Sequence, residues 1–259
     1  MTGSAGVMAL VLGQTVAGSA ALLWFTPLWN EVKLGYFKLS GAILLVLAFA
    51  WWLSTDAGAV AGSSAGRWSV RIALATTVIS LAWTVLLFAR QPKAARVLGL
   101  GGVPVSIGGL VVMAGTARQA EALALFQLFA GAVFLGAVLD GLLLGHWYLT
   151  DRSLSRAPIN RYTILLLAAV ALESVAVISA GFGGVGASAE INPLLTAGAL
   201  APWIALGMVG TTALIAVLVK AALKGARATA VQSATGFFYL AVVTAFTAEV
   251  AVKVRFLPR

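Results

Sequence analysis

The sequence predicts an all-α, polytopic membrane protein, a bundle of about eight transmembrane helices forming one domain over residues 1–259. Three observations predict it. Hydrophobic residues make up 61% of the chain and charged residues only 10%, against roughly 45–50% and 25% in soluble domains. The apolar residues gather into stretches of about 20, the length a helix needs to cross a bilayer. The connections between them are short, with Lys and Arg concentrated in alternate ones.

This composition excludes a water-soluble globule and a disordered chain. The absence of Cys excludes a disulfide scaffold and a Cys-ligated metal or iron–sulfur site. It says little about compartment. The net charge is +9, which in a soluble protein would suggest nucleic acid. Here the basic residues lie in short loops and read as topology signals facing anionic lipid, so nucleic acid is set aside.

The first expected span is Ala5–Phe25. It is not read as a cleaved signal peptide, because the first basic residue is Lys33 and no basic n-region precedes the apolar run. The second, Leu34–Leu53, and the third, Trp68–Ala89, have aromatic residues at their ends. Trp24, Trp29, Tyr36, Trp51, Trp52 and Trp68 all sit where belt residues anchor a helix at headgroup depth. The fourth, Val97–Thr116, carries five Gly and Pro104 between Val97 and Gly109. Such a run can break a helix and line a substrate or ion site. Gly and Pro are also common in closely packed spans, and a kinked, continuous helix is the preferred reading. Ala122–Leu149, Tyr162–Gly181, Leu194–Val219 and Gln232–Val252 complete the set, with no internal repeat evident. The glycine run Gly181–Gly186 follows a span rather than a strand, so it reads as an outer hairpin and not as a nucleotide loop.

Alternate loops carry Arg90, Lys93 and Arg96, then Arg152, Arg156 and Arg161, then Lys220, Lys224 and Arg227, together with Lys33 and Lys38. The other side has Arg67, Arg71, Arg118 and Glu121, and the loop Phe182–Asn192 with only Glu190. Positive-inside reasoning then expects both termini outside, in a multi-pass protein of the cell (inner) membrane. The basic tail with Lys253, Arg255 and Arg259 runs against this pattern.

An ionisable side chain within a span is a functional candidate. Asp140 lies about 15 Å from the inner end of the fifth span and Glu173 about 17 Å from the inner start of the sixth. Two carboxyls at matching depth on neighbouring helices could share a proton and act as a relay. Equally, each could be neutral and hydrogen-bonded to a Ser, Gln or backbone carbonyl of another helix, with Ser174 and Gln127 available. Glu249 lies near the outer end of the last span. Glu249 and Lys253 have the four-residue spacing of a counter-ion and Schiff-base lysine, but Lys253 stands at the span's end and is expected to snorkel.

The inner end of the fifth span reads Leu144-Gly-His-Trp-Tyr-Leu-Thr-Asp-Arg152. His146, Trp147, Tyr148 and Arg152 are the candidates for a quinone or haem pocket, with Gly141 and Gly145 leaving room. Helical rotation places Asp140, Leu144, Trp147 and Tyr148 roughly on one face and His146 on another, so no single-file Asp–His relay is expected. The competing readings are a structural histidine and, for Trp147 and Tyr148 with Tyr162, belt residues at headgroup depth. One histidine excludes a bis-His haem and a histidine-rich diiron site. A His–Met haem using Met8, Met113 or Met208 stays open.

Gly145-His-Trp-Tyr-Leu-Thr150 and Ala234-Thr-Gly-Phe-Phe-Tyr-Leu-Ala241, within the eight-span plan, resemble the quinone-interacting membrane anchors of bacterial respiratory oxidoreductases, of the polysulfide and nitrite reductase type. The resemblance implies a subunit contacting menaquinone or ubiquinone and exchanging electrons with partner subunits that carry haem or iron–sulfur clusters. On that reading the chain is quinone-reactive or non-catalytic rather than a stand-alone enzyme. The alternatives are a proton-coupled transporter or channel using Asp140 and Glu173, and a purely structural membrane subunit. Membrane lipids are partners in every case.

Overall fold

The computed structural model describes residues 1–181, 197–225 and 229–257. Among them the chain forms α1 (Gly3–Phe25), α2 (Leu28–Glu31), α3 (Leu34–Gly58), α4 (Ser64–Phe88), α5 (Pro92–Ala114), α6 (Glu121–Thr150), α7 (Ala157–Ser179), α8 (Ala197–Leu223) and α9 (Thr229–Phe256). No strand occurs among the described residues. Eight of these helices are long and apolar enough to cross a membrane, α2 being the exception. The protein is therefore a polytopic helical membrane protein. The glycine run after Gly181, Glu190, the expected start at Leu194, Arg227 and Arg259 lie outside the described residues.

The helices outrun their apolar stretches at polar ends. Ser63 starts α4 ahead of Trp68, its side chain accepting from the Gly66 N–H at 3.1 Å, as an N-cap does. Pro158 in the first turn helps to start α7 before Tyr162, where a missing N–H costs nothing. α9 continues beyond Val252 to Phe256. α5 is one unbroken helix through Pro104. A Cβ on Gly99 would lie 2.2 Å from the Trp24 ring, and one on Gly109 2.7 Å from Trp51. These glycines admit neighbouring indoles, the packing role preferred above.

α1 and α6 form the centre. In their most apolar stretches 78% and 67% of positions are buried, against 33–44% in the other spans. Their backbones touch: a Cβ on Gly18 would stand 1.7 Å from the Ala132 carbonyl oxygen, and one on Gly136 2.4 Å from the Gly18 carbonyl carbon. Small residues permit such an approach, and close packing drives association where lipid supplies no hydrophobic contrast.

The remaining helices divide into two groups. α3, α4 and α5 pack in sequence and close back on α1, while α7, α8 and α9 do the same on α6. α5 touches α6, and α9 touches α1. Exchanging α1, α3, α4 and α5 for α6, α7, α8 and α9 reproduces this scheme, apart from an extra α3–α6 contact. Partners cross in the same direction. Gly18 and Gly136 occupy the same position in their helices, and Gly13 and Gly131 also correspond. The repeat absent from the sequence reading is thus present in helix arrangement.

With eight crossings both ends of the chain share one face, here the terminal face. The other is the basic face. On the terminal face Thr2 N–H donates to Gly58 O, Arg118 N–H to Phe256 O, and Arg255 Nη1 to Gly181 O, at 2.8–3.0 Å. Lys253 and Arg255 belong to α9 and make specific contacts. These two residues of the basic tail are therefore not loop charges.

Candidate functional site

Asp140 is fully buried. Ser19 Oγ of α1 donates to its Oδ1, and Tyr162 OH of α7 donates to its Oδ2 at 3.2 Å. Thr26 Oγ1 lies 3.4 Å from the Tyr162 hydroxyl. The hydroxyls of Tyr36 and Ser40 are buried alongside and adjoin each other. The carboxyl thus sits where the two helix groups meet, inside a shell of hydroxyls. Among the described residues no Lys or Arg pairs with it. Asp140 is thus hydrogen-bonded to a serine and a tyrosine of other helices; Ser174 and Gln127 bond elsewhere.

Glu173 is brought elsewhere. The Tyr162 hydroxyl meets Asp140, and Glu173 lies eleven residues further along α7, about 16 Å along the axis. It stands instead beside Glu249 and Lys253 of α9. The separation has a plain cause. α7 begins at Ala157, so Glu173 is about 24 Å from the basic-face end of its helix while Asp140 is about 15 Å from that end of α6. The two carboxyls do not share a proton directly.

Around Glu173 is a second buried polar layer nearer the terminal face. Lys253 Nζ lies 3.1 Å from Glu249 Oε2, and both side chains are fully buried. Lys253 does not snorkel. Met1, Phe256 and Leu257 are buried at that end, and the ammonium lies 5.5 Å from the Phe256 ring centre. A Cβ on Gly131 would stand 2.0 Å from Gln14 Nε2 and 2.5 Å from Glu249 Oε1. Gln14 of α1 and Glu249 of α9 therefore converge on a glycine of α6. Gln14 donates to the carbonyls of Gln127 and Leu128 at 3.3 and 3.1 Å. Its own oxygen accepts no hydrogen bond, and the carboxyls of Glu173 and Glu249 adjoin each other. The sequence offered one signal for this layer, the four-residue spacing of Glu249 and Lys253.

At the basic face two ion pairs fasten the α1–α3 connection over the Asp140 layer. Arg161 donates to both oxygens of Glu31 at 2.8 Å, and Lys33 Nζ lies 2.9 Å from Asp151 Oδ2. Hydrogen bonds from Arg161 hold the Glu31 carboxyl below its ordinary range. The Ser153 hydroxyl first, and Lys33 second, do the same for Asp151.

Of the four pocket candidates, three on α6 and Arg152 just beyond it, only Tyr148 and Arg152 come together. His146 is exposed. Trp147 turns toward α3, where a Cβ on Gly35 would lie 2.2 Å from its ring. Tyr148 and Arg152 line a cavity of about 430 Å³ with Leu149, Arg156, Thr229 and Gln232 among its walls, and Tyr148 OH donates to the Ser155 carbonyl. Gly141 and Gly145 are filled by Phe238 and Thr235 of α9, so they serve helix contact rather than ligand space. His146 lies in the last turns of α6 at the basic face, whereas Met8 and Met113 lie near the terminal-face ends of α1 and α5. Neither methionine can share an iron with it, and Met208 sits midway along α8. Among the described residues no group of three His, Asp or Glu side chains is placed to hold a metal ion.

Comparisons with protein-family models, with curated proteins and with solved structures find no match to this chain.

Proposed function

We propose that this protein transfers protons across the membrane, with Asp140 as the group that takes up and releases them. The observation that carries this reading is a fully buried carboxyl between two helix groups, held by Ser19 and Tyr162 with no cation beside it among the described residues. A carboxylate left unpaired in such a place is costly, and a proton is the lightest way to neutralise it. Tyr162 and Thr26 extend the hydroxyl chain toward the basic face, the cytoplasmic side by the positive-inside rule. On the other side, Glu173, Glu249 and Lys253 supply a second set of exchangeable protons. About 14 Å of α6 separates Asp140 from Gly131 beside that set, so transfer between the layers requires water or side-chain movement.

The same path serves a proton-coupled transporter or the proton-delivering membrane subunit of an electron-transfer complex. Haem or iron–sulfur subunits that co-purify with the chain would select the second. The primary test is proton uptake by sealed vesicles containing the purified protein, driven by a potassium diffusion potential and read by an internal pH dye. Wild type should exceed protein-free vesicles, Asp140→Asn should fall to their level, and Asp140→Glu should keep part of the flux. Wild-type flux equal to that of empty vesicles would overturn the proposal.

A further inference from the structure

The cavity at the basic-face end of α6 and α9 belongs to no step of proton transfer. It is formed by the last turn of α6, the α6–α7 connection and the first turns of α9. Arg152, Arg156, Tyr148, Thr229 and Gln232 supply polar groups, Leu149, Leu154 and Val231 are apolar, and no carboxylate among the described residues lines it. Arg156 is anchored by donating from Nη1 to the carbonyls of Leu223 and Gly225, while Arg152 is exposed. Its depth follows from the helix ends, which place it in the headgroup layer.

Below the cavity the lining changes character. Gln232 is followed one turn later by Gly236, where a Cβ would meet nothing within 4 Å. Tyr239 and Leu240 continue that exposed side of α9 at 51% and 54% exposure. A strip of the helix surface thus runs from a cationic, hydrogen-bonding cavity at the interface into an apolar face with a glycine dent. Two guanidinium groups suit a phosphate, which they bind through paired N–H donors. The dent and the apolar strip suit a hydrocarbon chain.

We infer that this cavity is a binding site for an anionic phospholipid, with the phosphate between Arg152 and Arg156 and one acyl chain along Gly236 and Leu240. An attached chain fixes the source of the phosphate as lipid rather than a soluble anion. The concentration of basic residues on this face draws acidic lipid to it.

The test uses the full chain in mild detergent with fluorescent phosphatidylglycerol, and with phosphatidylcholine, inorganic phosphate and glycerol phosphate as competitors. Phosphatidylglycerol should bind and raise the melting temperature. Arg152→Glu should weaken its binding about tenfold or more, since it replaces a charge-assisted contact by repulsion. Arg152 is exposed, so its variant should melt like wild type in the absence of lipid. Gly236→Leu, which fills an open dent, should also weaken binding while leaving lipid-free melting unchanged. Equal binding of phosphatidylcholine would overturn the inference. So would competition by glycerol phosphate at the same concentration as lipid, or unchanged affinity in both variants.

Discussion

The two helix groups share a plan and differ in what they bury. In the first, α1 with α3, α4 and α5, the buried polar side chains within the spans are hydroxyls and the single amide Gln14. In the second, α6 with α7, α8 and α9, they include Asp140, Glu173, Glu249 and Lys253. Helix packing therefore does not dictate where charge goes, since equivalent contacts surround both kinds of interior. The charges instead follow the meeting line of the groups, where residues of one satisfy residues of the other. Ser19 and Gln14 of α1 reach across to the Asp140 and Glu249 layers. At Asp140 each group supplies one donor, Ser19 from the first and Tyr162 from the second.

The two charged layers differ in turn. Asp140 has hydroxyl partners on both oxygens, whereas the Glu173 layer sets two adjoining carboxyls beside its own cation. The sharpest test of the contrast is to remove that cation. Lys253→Met should cost about 3–5 kcal/mol in unfolding free energy, the usual result of stranding one member of a buried pair. Adding Glu249→Gln should restore most of the loss. In the first group Arg71→Met, at an exposed position beside Trp68, should stay within about 0.5 kcal/mol. Equal losses in the two single variants, measured by denaturant titration in detergent, would erase the difference between the groups.

The helix contact between the groups comes next in size. Gly18→Ala and Gly136→Ala should each destabilise by about 1–3 kcal/mol, because the added methyl meets backbone that must move. Gly101→Ala, open to its surroundings, should have no such effect. A large difference between Gly18→Ala and Gly136→Ala would break the correspondence of α1 and α6.

Smaller effects separate donors that are used from those that are not. Ser19→Ala should cost about 1 kcal/mol or more, since it strips a buried carboxyl of a hydrogen bond. Ser69→Ala, whose buried hydroxyl has no partner, should be neutral or stabilising by melting temperature. The smallest effect is the pH response of the clamp between Glu31 and Arg161. Because Arg161 depresses the Glu31 value, the contribution is complete above its ordinary value of 4.5 and is lost as pH falls through the lower folded value. The pair is part-exposed, so its worth is under about 1 kcal/mol. Wild type should lose that much more stability on acidification than Glu31→Gln, compared by melting temperature across this range.

The sequence by itself determined the number of spans and their order. The reason is physical: hydrocarbon tolerates only long apolar helices, and every loop must reach water. It also singled out Asp140, Glu173, Glu249 and Lys253, because charge is conspicuous in apolar runs. What only the tertiary structure decided was which of these meet. α1 and α6 are apolar nearly all round, so no stripe in their sequences fixes how each is rotated, and their glycines set the contact instead. Helix ends in the headgroup layer are polar, so the start of α7 at Ala157 escaped the apolar pattern and moved Glu173 away from Asp140 toward Lys253. His146 separated from Tyr148 for a related reason: two residues on one helix turn by about 200°, and only the neighbours α3, α7 and α9 determine which direction faces protein and which faces out.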